Sequence, residues 1–118
     1  MRTALRLLLP ALAVLVLAAC AGGGDGGAAA DVAPVKTSQV VAKDTRFNPA
    51  AIEVPAGTEV TWSFQDGSTP HDVTGDGWKS GKAQAEGSYR HTFDRPGTYD
   101  YRCTLHNGMK GRVVVSGS

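Results

Sequence analysis

Four side chains with metal-binding donor atoms stand at two places in the chain. Three of them share one short segment with the spacing C-x-x-H-x-x-M, namely Cys103, His106 and Met109. The fourth is His71, which follows Pro70 in a polar stretch upstream. Two imidazoles, one thiolate and a weak thioether form the ligand set that copper takes in electron-transfer sites. The residue types therefore raise the hypothesis of a copper centre.

Each of these residues also has an ordinary structural interpretation. A histidine after a proline, such as His71, is commonly a surface loop residue. Met109 could fill a gap in the core, and Cys103 could be a small buried hydrophobe. Taken singly, these interpretations are at least as good as metal binding. Metal binding is favoured because all four residues fit one ligand set.

The segments that position these residues alternate apolar and polar side chains, as half-buried strands do. The alternating or β-branched stretches are residues 39–42, 52–55, 59–64, 89–93, 99–103 and 113–115. Turn dipeptides separate them, and no window has the length and period of an amphipathic helix. The pattern predicts an all-β domain, either a small β-sandwich or a Greek-key barrel. Tyr99, Tyr101 and Cys103 are alternate residues of one predicted strand, so they share a face and the thiol is expected to point inward. The Asn107-Gly108 turn can then bring His106 back toward Cys103.

Three motifs carry a resemblance to a known family: P-H-D-V, S-Y-R-H-T-F-D-R-P-G-T-Y-D-Y-R-C and C-x-x-H-x-x-M. Across residues 47–115 the chain resembles the cupredoxins, the small blue copper proteins, and most of all amicyanin and plastocyanin. The short C-x-x-H-x-x-M spacing is similar to that of amicyanin. The resemblance implies a Greek-key cupredoxin β-sandwich that holds one type 1 copper ion. It also implies that His71, Cys103 and His106 are equatorial ligands and that Met109 is the axial ligand.

The chain departs from the family pattern near the ligands. Leu105 and Asn107 stand where amicyanin-like loops usually have prolines, and Asp72 stands where asparagine is common. We predict that the Asp72 carboxylate accepts a hydrogen bond from the Thr104 hydroxyl and ties the two ligand loops together. The third histidine, His91, matches no family ligand, so we predict a structural role for it.

By this resemblance the protein is expected to be a one-electron carrier rather than an enzyme. It would cycle between Cu(I) and Cu(II), and a redox donor and acceptor would dock near His106, where Leu105, Pro70 and Gly108 form an apolar rim. The alternative function is copper delivery to an oxidase. Copper oxidases need further copper centres, which three histidines cannot supply. A structural zinc site is disfavoured because Met109 is a poor zinc ligand.

The N-terminal part of the chain predicts export. Residues 1–19 contain a basic start and an apolar run too short to span a bilayer, as in a secretory signal. The run ends in Leu17-Ala18-Ala19-Cys20, which resembles a bacterial lipoprotein signal with cleavage before Cys20 and lipid attached to its sulfur. Ordinary cleavage near the same alanines is the alternative. Residues 20–35 are then a Gly/Ala-rich tether, and residues 36–118 form the cupredoxin domain, which we expect to be a monomer on the extracytoplasmic face of a bacterial membrane.

Charge and cysteine content are consistent with this organisation. The full chain has 12 Lys and Arg against 11 Asp and Glu, and loss of Arg2 and Arg6 leaves 10 against 11. A chain this close to neutral shows no footprint for nucleic acid. With Cys20 assigned to the lipid, Cys103 has no cysteine partner, and an exported thiol needs burial or a metal to protect it.

Overall fold

The computed structural model describes residues 32–117, and all of its regular structure in that range is β. The predicted signal, the lipidation site at Cys20 and the predicted tether up to residue 31 lie outside the described residues. The strands are β1 (Val35–Lys36), β2 (Gln39–Lys43), β3 (Arg46–Asn48), β4 (Ala51–Pro55), β5 (Thr58–Gln65), β6 (Thr74–Gly75), β7 (Trp78–Lys79), β8 (Glu86–Phe93), β9 (Gly97–Arg102) and β10 (Lys110–Ser116). Within the same residues, no helix is long and apolar enough to cross a membrane.

The strands form two sheets. One sheet has the order β1-β4-β10-β9-β6-β7, and the other has the order β3-β2-β5-β8. The β4–β10 and β2–β5 pairs are parallel, whereas β9–β10 and β5–β8 are antiparallel. The prediction of an all-β sandwich is therefore confirmed. The short strands β1, β3, β6 and β7 were not predicted, and β1 begins at Val35, one residue inside the predicted tether.

The core forms between the two sheets because each long strand turns alternate side chains inward. In β5 the buried residues are Val60, Trp62 and Phe64, as their period of two predicts. Trp62 is the centre of an aromatic cluster. Its ring centroid lies 5.3 Å from that of Tyr101 and 5.6 Å from that of Tyr89. This cluster joins the sheets below the loops that carry the candidate ligands.

Three chain segments bring those loops to one end of the sandwich. Strand β9 ends at Arg102, directly before Cys103, and β10 begins at Lys110, directly after Met109. Arg102 and Lys110 are register partners, so the segment between them closes on itself. The other loop leaves β5 after Gln65, which pairs with Glu86 at the start of β8. Both loops therefore lie over the same end of the core.

Candidate metal centre

The Cys103 loop is closed by its own backbone. The Cys103 N–H donates to the Met109 carbonyl at 2.9 Å, and the Met109 N–H donates to the His106 carbonyl at 3.3 Å. Gly108 has a φ of 79°, a left-handed conformation that glycine adopts without the steric cost of a Cβ. The predicted Asn107-Gly108 turn thus allows the chain to reverse within the loop. The reversal places the His106 side chain beside that of Cys103.

His71 is held by a two-residue bridge to Gln84. Its N–H donates to the Gln84 carbonyl at 2.9 Å, and the Gln84 N–H donates to the His71 carbonyl at 2.8 Å. The imidazole is 0% exposed, which is unusual for a loop histidine. The surface-loop interpretation of His71 is therefore wrong. A fully buried imidazole needs partners for both ring nitrogens.

One ring nitrogen of His71 faces Cys103 and His106. The His71 Nδ1 lies 3.2 Å from His106 Nδ1 and 3.9 Å from Cys103 Sγ, and Cys103 Sγ lies 3.5 Å from His106 Nδ1. The point equidistant from these three atoms is about 2 Å from each of them, close to the bond lengths of about 2.0–2.3 Å that imidazole nitrogen and thiolate sulfur make to zinc. The triangle formed by His71 Nδ1, His106 Nδ1 and Cys103 Sγ therefore has the size of a metal coordination plane.

The other ring nitrogen of His71 contacts Asp66. His71 Nε2 lies 2.5 Å from Asp66 Oδ2, so its N–H donates to the carboxylate and Nδ1 is left with a free lone pair. This hydrogen bond is the largest cause of a lowered pKa for the Asp66 carboxyl, and it outweighs the opposing effect of burial. Carboxylates commonly orient metal-binding histidines in this way. In the sequence, Asp66 stands before Gly67 as an ordinary turn dipeptide, and its place five residues before His71 is the only signal of this role.

A second carboxylate joins the two ligand loops. Asp72 accepts hydrogen bonds from the Thr104 N–H at 2.6 Å and from the Thr104 hydroxyl at 2.5 Å. The predicted contact is present, and the backbone hydrogen bond adds a second one. Asp72 follows His71 and Thr104 follows Cys103. The contact therefore fixes the two loops against each other.

The remaining predicted residues differ in exposure. Met109 is 2% exposed and belongs to the same core cluster as Cys103. Its thioether therefore lies in an apolar environment. His106 is half-buried. Leu105, Pro70 and Gly108, which precede His106, His71 and Met109 in the sequence, are exposed. His106 is thus the triangle member that lies nearest to solvent.

His91 lies elsewhere. It is half-buried in β8, and its ring stacks on that of Trp78 with centroids 4.9 Å apart and planes 15° apart. Burial lowers its pKa, and the nearby Asp94 charge opposes that shift. The ring pairs with an aromatic side chain, as a structural residue would. Trp78 also contacts Phe93 and Tyr101, so it covers the core rather than the ligand loops.

Comparison with known proteins identifies the family. Residues 9–115 match the Cupredoxin-like domain. The chain belongs to the cupredoxin family. It is 37% identical over 93 residues to amicyanin-alpha of Methylorubrum extorquens, covering 70% of this chain and 75% of that protein. It is 33% identical over 104 residues to amicyanin of Paracoccus denitrificans, covering 82% of this chain and 71% of that protein.

Solved structures agree with this assignment. A reduced variant of amicyanin superposes with a TM-score of 0.61 at 34% identity, covering 76% of this chain and 90% of that chain. The cofactor of this cupredoxin is one copper ion of type 1, and the donor set of the triangle fits it. The relationships support a role as a copper electron carrier.

Proposed function

We propose that this cupredoxin is a one-electron carrier whose copper is held by His71, Cys103, His106 and Met109. The observation that carries the proposal is the triangle of two Nδ1 atoms and one Sγ, which has the dimensions of a coordination plane. When bound, copper supplies the Cu(I)/Cu(II) couple. The imidazoles suit Cu(II) and the sulfur donors suit Cu(I), so one set of side chains serves both oxidation states.

The protein contributes a fixed arrangement of these donors. His71 is fixed by Asp66 on its ring and by Gln84 on its backbone. Cys103 is fixed by its hydrogen bond to Met109 and by the Asp72–Thr104 contact next to it. A centre held on several sides requires little rearrangement when its charge changes by one. That property favours electron transfer over metal release.

Electrons would enter and leave through His106. His71 and Cys103 are buried, whereas His106 is half-buried, and the apolar residues Leu105 and Pro70, each of which directly precedes a histidine of the triangle, are exposed. A small apolar surface next to a redox centre suits the brief docking of donor and acceptor proteins. We also propose that the protein works on the extracytoplasmic face of a bacterial membrane, anchored through lipid on Cys20, as a monomer and not as an enzyme.

The ligand content of the sequence supports a carrier over an enzyme. Of the three histidines in the chain, two belong to the triangle and the third stacks on Trp78. No histidine of this chain is then left for a second copper centre. Copper delivery is tested by the same experiment, because a delivery protein should give up its ion to a copper-free acceptor.

The test is to produce the chain from residue 21 onward, add Cu(II) and record the visible spectrum and a voltammogram. We expect an intense blue thiolate-to-copper band and a reversible one-electron wave. Cys103→Ser should abolish the band, whereas His91→Phe should keep it and serves as the matched control. A colourless protein that binds no copper would contradict the proposal. Rapid transfer of the ion to an apo acceptor, without reversible electrochemistry, would favour delivery.

A further inference from the structure

Three cationic residues lie on one line across the six-stranded sheet. Lys110 is the register partner of Arg102, Arg102 is also the partner of Thr74, and Thr74 is the partner of Lys79. The line therefore crosses β10, β9, β6 and β7 in the direction of the hydrogen bonds. Neighbouring strands are about 4.8 Å apart, so the line is about 15 Å long. We call Lys79, Arg102 and Lys110 the basic row.

The basic row lies on the outer face of the sheet. All three of its cationic residues are exposed. The adjacent line of register partners faces the core and consists of Gly111, Tyr101, Gly75 and Trp78. Tyr101 is 3% exposed, and Trp78 packs against the core. Because successive side chains of a strand alternate between faces, the cations point away from that core.

The charges of the basic row are not neutralised within the described part of the chain. The next outward line contains Arg112 and Asp100, which form an ion pair at 2.6 Å. Among residues 32–117, by contrast, no carboxylate lies within 4.0 Å of the charged nitrogens of the basic row. The chain as a whole has nearly equal numbers of acidic and basic residues. The row is therefore a local concentration of positive charge.

The basic row borders the candidate metal centre. Arg102 directly precedes Cys103, and Lys110 directly follows Met109, so two of its three cations stand at the two ends of the ligand loop. Positive charge at this position attracts a negatively charged surface toward the loop that carries His106. Such attraction raises association rates and orients the partner before close contact forms.

We propose that the basic row is the docking surface for a redox protein whose own surface is rich in carboxylates. This inference rests on the proposed electron-carrier function. It adds an electrostatic element to the apolar surface around His106 and specifies the charge of the partner. The alternative of an anionic membrane is less well supported, because lipid-binding clusters commonly have about 4–8 Lys and Arg residues. In addition, Arg102 and Lys110 flank the ligand loop, so a partner bound to the basic row would lie close to the redox centre.

The experiment compares two matched triple variants of the copper-loaded protein. One neutralises the basic row (Lys79→Gln, Arg102→Gln and Lys110→Gln). The control changes the net charge equally at residues away from the ligand loop (Lys36→Gln, Arg90→Gln and Arg95→Gln). The probes are a basic c-type cytochrome and the same cytochrome with its lysines succinylated, which carries the same haem and the opposite charge. One electron passes between haem and copper in each reaction, and stopped-flow absorbance at the haem band follows it.

We expect the unsubstituted protein to react about 10-fold faster with the succinylated cytochrome than with the basic one at low ionic strength. This advantage should shrink as salt is raised, because the Debye length falls to about 3 Å at 1 M. The basic-row variant should lose most of the advantage, and the control variant should retain it. Equal rates for the two variants would overturn the proposal.

Two further measurements separate the possible failures. Equilibrium binding of the succinylated cytochrome, measured by titration calorimetry, gives the affinity of the docking surface independently of electron transfer. If no blue band forms but binding still depends on the basic row, the proposed function fails and the docking surface stands. Vesicles containing anionic lipid test the membrane directly. If only vesicle binding depends on the row, the assignment of a protein partner is wrong.

Discussion

Asp72 offers the sharpest test of how this cupredoxin controls its centre. Replacing Asp72 with Asn removes a negative charge and retains the shape of the side chain. The Asn carbonyl can accept from the Thr104 N–H, and its amide can donate to the Thr104 hydroxyl, which also accepts hydrogen bonds. The two ligand loops should therefore remain joined in Asp72→Asn. The change in reduction potential then reports the charge alone.

The magnitude follows from the position of the carboxylate. Asp72 bonds to Thr104, the residue after Cys103, and bond lengths limit the distance from its carboxylate to the centre of the triangle to roughly 9 Å. A unit charge at that distance interacts by about 2 kcal/mol at an effective dielectric constant of about 20, and by about 0.5 kcal/mol in water. For one electron, these energies correspond to about 90 mV and about 20 mV. Because Asp72 is 7% exposed, the upper part of that range is expected.

The direction of the shift follows from the charge of the oxidised site. A carboxylate stabilises Cu(II) relative to Cu(I), so its removal should raise the potential. Protein-film voltammetry measures this, with Asp94→Asn as the control because Asp94 is exposed at the opposite end of the sandwich. Screening should limit the shift of the control to less than about 10 mV at moderate salt. An unchanged or lower potential for Asp72→Asn, with its spectrum intact, would refute the electrostatic reasoning.

Asp72→Ala separates the structural contribution from the electrostatic one. This variant removes the charge and both hydrogen bonds to Thr104. It should raise the potential and also destabilise the fold by about 1–3 kcal/mol, since the ligand loops lose their connection. Denaturant unfolding of Asp72→Asn and Asp72→Ala should therefore differ. Equal stability of the two variants would show that the contact does not hold the loops.

Three other side chains give further predictions. Asp66→Ala should weaken Cu(II) binding by about 10–100-fold, because the His71 ring loses its hydrogen-bond acceptor. Competition with a chelator of known affinity measures this, and unchanged binding would contradict the role given to Asp66. Burial lowers the pKa of His91 below its unfolded value, so the unfolded chain binds more protons and stability falls as the pH drops below about 6.5. His91→Phe should flatten that dependence in urea melts, and an unaltered slope would contradict the assignment. Gly111→Ala would place a Cβ against the Tyr101 ring and should cost about 1–3 kcal/mol in denaturant unfolding, whereas a neutral result would mean that the ring moves freely.

The long strands could be predicted from the sequence because burial repeats with their period. In β5 and β9, alternate residues are apolar and face the core, and the same parity directs Cys103 inward. The two-residue strands β1, β6 and β7 are too short to show a period. Their conformation depends on pairing with distant residues, such as Val35 with Ile52 and Thr74 with Arg102. Only the three-dimensional arrangement reveals that pairing.

The candidate site likewise combines residues that the sequence predicts with one residue, Asp66, that it does not. The four candidate ligands could be proposed because their residue types are rare and their spacing resembles that of a family. Asp66 could not be singled out, since an aspartate before a glycine is an ordinary turn residue. Its importance depends on the path of the chain between Asp66 and His71, which turns the carboxylate onto a buried ring nitrogen. The direction of the side chains in such an irregular loop cannot be predicted from the local sequence.

The arrangement of contacts around His71 and Cys103 explains how a small domain can hold its ligands without a large core. Each ligand loop is attached to the sheets at its ends, and the Asp72–Thr104 hydrogen bonds join the loops in the middle. A displacement of either loop would therefore break hydrogen bonds on both. The donor atoms of His71, Cys103 and His106 lie within 3.9 Å of one another, so these three side chains can share one coordination plane. A centre prepared in this way changes its electron count with little movement of its ligands, which is the requirement that a one-electron carrier has to meet.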